Sequence, residues 1–331
     1  MIKLESKNRK KIIDINHLIR DYEKPELEKH LKFYSKHDIK PTMCAILTTD
    51  DAGSKSYMKG IKNFCQKHNI DFRDYYVYEK KKLEELIYNL NNDSDIDGIM
   101  IMYPTSFDVK DTFFMNLIDE DKDLEGLTNY HLGYLVQHKK FIKMNEMRKL
   151  IIPPTPKGIL YIFKHFSNKY ENYKDKTGSY PDSLNYNPFK IERKKITIIN
   201  DSLAVGRSLG LMLLNENGSV RICHEYTDFS DILKSVRISD IVISAVPNKN
   251  FLIPTTEIPS NSIVIDLSFV GNFDYPSIYE KVYKIAPKWN LVEKGNRIND
   301  MTLYRLISNL FYLINLKLSD ALLAKLSKYS Y

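Results

Sequence analysis

Four side chains able to take part in chemistry cluster in the segment 50–64, DDAGSKSYMKGIKNF: Ser54, Tyr57, Lys59 and Lys62. A buried lysine beside a tyrosine can act as an acid/base group, because burial lowers the pKa of a lysine toward neutrality. A helix turns about 100° per residue, so the positions that share a face with Tyr57 are Gly60 and Ile61, and neither is a lysine. Lys62 is therefore the remaining candidate for a catalytic lysine, and the alternative is a solvated surface charge.

Size, charge and cysteine content restrict the class of protein. The chain has 331 residues and is 43% hydrophobic, enough for two domains with their own cores. Its net charge of +7, from 49 basic and 42 acidic residues, is spread in mixed-sign runs and does not favour nucleic-acid binding. The three cysteines show no spacing typical of a metal site or a disulfide framework, so no metal and a reducing compartment are expected.

The sequence contains no apolar run of about 18 residues, so no membrane association is expected. The N-terminal segment also lacks the continuous apolar core of a secretory signal. These features favour the cytoplasm. A basic cluster at residues 7–11 leaves a mitochondrion or another organelle open.

Strands and helices alternate along the chain, which predicts an α/β fold. In the first part, short apolar runs at 42–49, 71–79 and 97–104 predict strands, and helical spacing follows at 54–68 and 80–92. In the second part, strands are predicted at 194–200, 219–225, 240–246 and 261–268, with helices at 204–217 and 228–237. Four parallel-type strands joined by short helices are typical of a Rossmann-like nucleotide-binding domain.

The predicted domains are an N-terminal domain, residues 1–150, and a nucleotide-binding domain, residues 151–301. A C-terminal helix, residues 302–327, completes the first. The segment 167–194 has few aliphatic residues and many Asn, Lys, Tyr and Ser, so we predict an inserted mobile surface loop that is dispensable for folding. The alternative is a tyrosine-rich binding segment.

The turn after the first strand of the second domain, IINDSLAVGRSLG, carries few of the glycines that let backbone amides approach a phosphate. With its surroundings, however, it resembles the motif G-R-S-x-x-V-G-x-P of the bifunctional methylenetetrahydrofolate dehydrogenase/methenyltetrahydrofolate cyclohydrolase family. The matching residues here are Asn200, Asp201, Ser202, Val205, Gly206 and Ser208.

Other motifs of that family follow in the same order over nearly the whole chain. S-x-x-Y-V-x-x-K resembles residues 54–61, D-G-I-L-V-Q-L-P-L-P resembles 97–106, and P-x-K-D-V-D-G resembles 120–126. P-C-T-P-x-G is similar to 153–158, T-x-C-H-x-x-T to 222–227, and P-G-G-V-G-P-M-T to 295–302.

The resemblance implies a two-domain enzyme with folate in the cleft between the domains and the C-terminal helix packed back on the first domain. The family oxidises 5,10-methylenetetrahydrofolate with NAD or NADP and then hydrolyses the methenyl product. Its members usually dimerise through the nucleotide domain, so a homodimer is expected.

Two family residues of the hydrolytic step, a lysine that activates the folate and a glutamine that holds it, correspond here to Ile61 and Met102. Both positions have become apolar, which predicts weakened or absent cyclohydrolase activity. The resemblance implies folate contacts at Ser54, Tyr57, Met102 and Glu125. Glu125 replaces an aspartate that hydrogen-bonds the pterin.

On the nucleotide side, the family arginine that can pair with the 2′-phosphate of NADP corresponds to Asp201, and Glu225 also faces that phosphate. Carboxylates repel a phosphate and accept hydrogen bonds from ribose hydroxyls, so NAD is expected to be favoured over NADP. The implied cofactor-binding residues are Thr155, Asn200, Asp201, Ser202, Gly206, Glu225, Thr227, Phe269 and Thr302.

Three functions remain open. The first is a divergent folate dehydrogenase, since hydride transfer depends mostly on juxtaposing two bound molecules. The second is a catalytically silent descendant that acts as a binding or structural subunit. The third is a folate or nucleotide sensor without turnover.

Overall fold

Two parallel sheets organise the chain, each in its own unit. The computed structural model describes residues 6–138, 141–143, 148–181, 186–318 and 320–327. The three-stranded unit comprises Arg20–Pro154 and Leu303–Tyr331, and the five-stranded unit comprises Met1–Ile19 and Thr155–Thr302. Both units combine strands and helices, which confirms the predicted α/β class.

The three-stranded unit is built on a strand that is buried along its whole length. Its strands are β1 (Thr42–Leu47), β2 (Asp71–Tyr76), β3 (Gly98–Ile101) and a small antiparallel pair, β4 (Phe141–Lys143) and β5 (Arg148–Lys149). The main sheet has the order β2-β1-β3 and is parallel, with Thr42 opposite Asp71 and Met43 opposite Gly98. Since successive side chains of β1 point to opposite faces, Met43 joins one apolar cluster and Cys44 the other.

The five-stranded unit has a parallel sheet with a reversal of strand order at its centre. Its strands are β6 (Lys195–Ile199), β7 (Ser219–Cys223), β8 (Ile241–Ser244), β9 (Ile263–Asp266) and β10 (Lys284–Ala286). Their order is β10-β9-β8-β6-β7, so β7 lies on one side of β6 and β8 on the other. In such sheets ligands bind beyond the carboxyl ends of the strands at the reversal.

Helices connect these strands. They are α1 (Ser6–Arg9), α2 (Ile15–Leu18), α3 (Lys24–Lys36), α4 (Ala52–Lys67), α5 (Lys80–Asn92), α6 (Asp111–Met115), α7 (Asn129–Val136), α8 (Pro154–Thr177), α9 (Ser208–Asn215), α10 (Phe229–Arg237), α11 (Ser277–Lys281), α12 (Ile298–Leu316) and α13 (Asp320–Ser327). None of these described helices combines the length and apolar character that a bilayer crossing requires.

The first residues of the chain correct the predicted domain division. We expected them in the N-terminal domain, but residues up to Ile19 belong to the five-stranded unit. The reason is backbone pairing at the edge of the sheet, where Ile12 forms a parallel bridge with Ile285 and the Ile13 N–H donates to the Ile285 carbonyl over 2.9 Å. The edge strand β10 was also missed, because three residues give too short an apolar pattern.

The expected mobile loop at 167–194 is wrong over most of its length. Helix α8 continues to Thr177, so residues 167–177 are its last three turns, while residues 182–185 lie outside the described part. After it, Phe189 is only 2% exposed and its ring lies 5.1 Å from that of Phe166, in a stacked arrangement. Polar composition misled the prediction, because the last part of α8, residues 172–177, extends into solvent from the buried first part and needs no aliphatic residues.

The C-terminal segment also differs from the single helix predicted for 302–327. Helix α12 starts earlier, at Ile298, and ends at Leu316, and α13 starts at Asp320. An aspartate is favourable in the first turn of a helix, which is consistent with a new start there. Asn309 of α12 donates to the carbonyls of Leu124 and Ile152 over 2.8 and 3.0 Å, which fixes this helix to the three-stranded unit.

We expect Phe189→Ala to destabilise the protein by about 3 kcal/mol, because it removes a buried aromatic ring from contact with Phe163 and Phe166. Thermal unfolding should show a fall in Tm of roughly 5–10 °C. The control is Tyr173→Ala on α8, the helix that carries Phe163 and Phe166. It removes a side chain that is 47% exposed and should change Tm little. Equal Tm values for the two variants would contradict the packed arrangement.

Candidate active site

The three-stranded unit gathers its candidate residues at the carboxyl end of the sheet. Strand β1 has β2 on one side and β3 on the other, so a crevice is expected where the chain leaves β1 and β3. Helix α4 follows β1 and carries Tyr57, with Asp51 as its N-cap accepting the Ser54 N–H over 2.7 Å. Met102 and Tyr103 directly follow β3. The predicted Ser54 thus lies in the first turn of the helix that positions Tyr57.

A tight loop beside β3 carries Glu125. The Asp123 carboxylate accepts three backbone N–H groups, from Glu125 at 3.0 Å, Gly126 at 2.8 Å and Thr128 at 2.9 Å. Lys122 is buried and its ammonium donates to the Leu90 and Asp93 carbonyls over 2.8 and 2.6 Å. These contacts hold the loop from both sides, so Glu125 has a fixed backbone position.

Glu125 is the centre of the local electrostatics. Its side chain is half-buried, and burial together with the Asp123 carboxylate raises its pKa to about 8. Burial, and then the charge of Glu125, also raise the pKa values of the Tyr57 and Tyr103 hydroxyls. The two tyrosines and the glutamate therefore form one interacting group of uncharged side chains at neutral pH.

The predicted losses at Ile61 and Met102 have a structural counterpart. Their side chains are 1% and 4% exposed and belong to the same apolar cluster, which also contains Met58 and Met100. Neither position offers a group that could transfer a proton.

Lys62, the candidate catalytic lysine, is engaged elsewhere. Its ammonium lies 2.9 Å from each carboxylate oxygen of Asp74 on β2. This hydrogen-bonded pair raises the pKa of Lys62, whereas a neutral base would need a lowered pKa. The arrangement gives Lys62 a role in joining α4 to β2, and its catalytic role stays an unsupported prediction.

In the five-stranded unit, the turn after β6 is closed by an asparagine side chain. The Asn200 Oδ1 accepts hydrogen bonds from the Ser202 N–H at 3.1 Å, the Ser202 hydroxyl at 2.8 Å and the Gly206 N–H at 3.0 Å. A Cβ at Gly206 would lie 1.8 Å from the Asn200 carbonyl oxygen, so only glycine fits. The turn thus keeps the close approach typical of a dinucleotide site while the Asn200 side chain supplies part of its closure.

The two carboxylates expected to face a 2′-phosphate differ in their surroundings. Asp201 forms an ion pair with Arg207, with 3.0 Å between Oδ2 and Nη2, so its charge is partly neutralised. Glu225 is exposed in the turn after β7. That turn is held by Thr227, whose hydroxyl accepts the His224 N–H over 3.1 Å. The ion pair between Arg207 and Asp201 could not be anticipated from spacing alone.

Three further predicted cofactor residues lie in this unit. The hydroxyls of Thr155 and Thr302 are 3.2 Å apart although 147 positions separate them in the sequence. Phe269 is 58% exposed and lines a small cavity of about 60 Å³ with Asp266, Ser268 and Ile298. The structure therefore brings Thr155 and Thr302 together, and the Phe269 ring is largely exposed.

Together, the reversal of strand order and the glycine turn after β6 define the five-stranded unit as a Rossmann-like nucleotide-binding domain. Family models make the assignment specific. The catalytic-domain model of the tetrahydrofolate dehydrogenase/cyclohydrolase family matches residues 13–125, and its NAD(P)-binding-domain model matches residues 182–317. The two ranges cover more than half of the chain, which therefore belongs to this family.

Individual relatives agree with the assignment. The chain is 29% identical over 307 residues to the methylenetetrahydrofolate dehydrogenase [NAD(+)] of Dictyostelium discoideum, covering 86% of this chain and 90% of that protein. It is 28% identical over 277 residues to the bifunctional protein FolD of Clostridium tetani, covering 79% and 88%. Among solved structures, the NAD-dependent 5,10-methylenetetrahydrofolate dehydrogenase of Saccharomyces cerevisiae shares the fold with a TM-score of 0.75, at 22% identity over 92% of this chain and 97% of that one.

The raised pKa of Glu125 predicts a pH-dependent contribution to stability. Between pH 4.5, the ordinary value, and about 8, the folded state holds a proton that the unfolded state has released, so the stabilising contribution is lost as the pH rises. Glu125→Gln should remove this slope and be more stable than the unmodified protein above pH 8. Over this pH range we expect Glu125 to change the free energy of unfolding by on the order of 2 kcal/mol. This value is reduced because water partly screens the side chain.

Thermal unfolding of both proteins at pH 5.5 and pH 8.5 measures this effect. The matched control is Glu85→Gln, since Glu85 is exposed on α5. Parallel pH profiles for the unmodified protein and Glu125→Gln would show that Glu125 is ionised throughout.

Proposed function

We propose that this chain is a methylenetetrahydrofolate dehydrogenase whose cyclohydrolase activity is weakened or lost. The observation that carries the proposal is the pair Ile61 and Met102, which lie in the apolar core at the two positions where the family motifs have lysine and glutamine. Hydrolysis of a methenyl group requires activated water and proton transfer. Hydride transfer requires mainly that the two reactants be held together, so it survives the loss of an acid/base residue.

Residues for both ligands remain. Tyr57 and Glu125 offer an aromatic ring and a carboxyl group to a pterin in the three-stranded unit. Gly206 and the paired hydroxyls of Thr155 and Thr302 suit a dinucleotide in the five-stranded unit, where the bound cofactor would supply the hydride acceptor.

A catalytically silent descendant is the second candidate, and one observation favours it. The Gly206 N–H, which faces the phosphates in a glycine-rich turn, is already bonded to the Asn200 side chain. A dinucleotide must therefore bind through other groups or displace this contact. Calorimetric titration with NAD, NADP and a folate analogue tests the dehydrogenase first, because a chain that fails to bind either ligand class cannot catalyse hydride transfer between them. A homodimer formed through the five-stranded unit remains a prediction, as does location in the cytoplasm.

Activity assays test the first proposal directly. We expect NAD reduction that depends on 5,10-methylenetetrahydrofolate, and hydrolysis of methenyltetrahydrofolate no faster than the uncatalysed reaction. Lys62→Met should leave the dehydrogenase rate within about twofold, because its ammonium is paired with Asp74 and contacts neither reactant in this proposal. A fall in hydrolysis on this substitution would restore Lys62 as the catalytic lysine. Absence of dinucleotide reduction together with absence of folate binding would favour the silent descendant.

The cofactor preference follows from charge at the 2′ position. We propose that NAD binds more tightly than NADP by at least about tenfold, or 1.4 kcal/mol, because the family resemblance assigns the carboxylates of Asp201 and Glu225 to that position. The ion pair with Arg207 weakens the repulsion from Asp201 and leaves the exposed Glu225 as the larger contributor.

The double variant Asp201→Arg with Glu225→Ser should shift preference toward NADP, because it removes both carboxylates and supplies a guanidinium that can pair with phosphate. Dissociation constants for the two dinucleotides measure the shift. Arg207→Gln is the matched control. If this single change selectively weakens NADP binding, Arg207 itself contacts the phosphate and the proposed origin of the preference is wrong. Equal affinities of the unmodified protein for both dinucleotides would also exclude it.

A further inference from the structure

Tyr103 has a buried hydroxyl with nothing to bond to. Its oxygen is inaccessible to water, and among the described residues it has no hydrogen-bond partner. The ring packs against the apolar cluster that contains Ile99 and Ile101, and this packing fixes the position of the side chain. In the family motif D-G-I-L-V-Q-L-P-L-P this position is a leucine, and the hydroxyl is therefore an addition in this chain.

Backbone pairing brings the segment just before Glu125 next to β3. Asp123 forms a parallel bridge with Ile99, supported by hydrogen bonds from the Ile99 N–H to the Lys122 carbonyl at 2.7 Å and from the Leu124 N–H to the Ile99 carbonyl at 3.2 Å. Glu125 comes two residues after Asp123 and Tyr103 comes four residues after Ile99, so both lie just past this pairing. The effect of the Glu125 charge on Tyr103 agrees with this proximity.

Glu125 also lacks a partner. In the described part of the chain its carboxyl group forms neither a hydrogen bond nor an ion pair, although its backbone N–H is bonded to Asp123. Buried polar groups in folded proteins are nearly always hydrogen-bonded, and an exception needs a reason. The buried Tyr103 hydroxyl is such an exception, and the half-buried Glu125 carboxyl group lies just past the same strand pairing, at the carboxyl end of β3 where ligands of parallel sheets bind.

We propose that Tyr103 and Glu125 together bind the substrate ring, with the Tyr103 hydroxyl as donor and the carbonyl oxygen of the Glu125 carboxyl group as acceptor. This inference rests on the proposed folate-binding function. The resemblance already implies a pterin contact for Glu125, and Tyr103 is the new member. The pair fits a heterocycle that carries a ring N–H next to a carbonyl, as the 4-oxo edge of a pterin does. Tyr103 thus supplies polar contact with the ring that Ile61 and Met102 cannot provide.

Calorimetric titration with two ligands tests whether the Tyr103 hydroxyl contacts the 4-oxo group of the substrate ring. Folic acid has the 4-oxo group that accepts from Tyr103, and its 4-amino analogue lacks this acceptor. Tyr103→Phe should weaken folic acid binding at least tenfold and weaken the analogue much less, so that the ratio of the two affinities changes at least fivefold. An unchanged ratio would overturn the role of Tyr103.

Tyr279→Phe is the matched control. Tyr279 also has a buried hydroxyl without a partner among the described residues, but it lies on α11 in the core of the five-stranded unit. Both variants should unfold at a Tm equal to or above that of the unmodified protein, because each removes an unsatisfied buried group. Only Tyr103→Phe should alter folate binding. A marked fall in Tm for Tyr103→Phe, or weaker folate binding in both variants, would overturn the inference.

The same titrations distinguish this inference from the proposed function. If the unmodified protein binds neither folic acid nor its analogue, the folate-binding function itself fails and the inference fails with it. If it binds folic acid and Tyr103→Phe binds it equally well, only the inference fails.

Discussion

The Asp123 carboxylate is the contact on which the chemistry of the three-stranded unit depends. It accepts hydrogen bonds from three backbone N–H groups, and these bonds fix the loop from Asp123 to Thr128 beside β3. The loop turns at Gly126, where φ is +64° and a Cβ would lie 2.4 Å from the Ile151 carbonyl oxygen, so this bend requires glycine. The same charge that fixes the backbone also acts on Glu125 and favours its protonated form. One side chain therefore sets both the position and the ionisation of its neighbour.

Compared with the family motifs, this unit lacks two polar side chains, at positions 61 and 102, and has gained a hydroxyl at Tyr103. Ile61 and Met102 extend the apolar cluster under α4, which removes two groups that would be costly to bury without partners. Tyr103 adds a hydroxyl on the other face of β3. A site altered in this way keeps hydrogen-bonding capacity for a ring but has no lysine at the hydrolytic position. Binding and hydride transfer tolerate such a change better than hydrolysis does.

The sequence was most informative where burial is complete. Strands β1 and β8 are buried throughout and mostly apolar, and they were predicted because central parallel strands contain continuous hydrophobic runs. The short edge strand β10 and the polar end of α8 were missed, because pairing by three residues and a solvent-exposed helix end leave little apolar pattern. For the candidate site, motif order predicted Tyr57, Glu125 and Gly206. It could not reveal the ion pairs of Lys62 and Asp201, since these depend on which side chains the fold brings within reach.

In the turn after β6, side-chain contacts that the sequence does not reveal occupy groups that the motif would offer to a ligand. A glycine-rich turn leaves its N–H groups free for phosphate oxygens, whereas here the Asn200 side chain already satisfies two of them, those of Ser202 and Gly206. A phosphate that displaced this amide would gain charge-assisted hydrogen bonds but would lose the contacts that close the turn. The Asn200 Nδ2 is itself anchored to the Ala245 carbonyl at the end of β8, at 3.1 Å, so the amide is not free to swing away. The dinucleotide is therefore expected to contact this turn through its ribose and through Ser202, and to depend for affinity on groups beyond β6, above all Thr155, Thr302 and the exposed ring of Phe269.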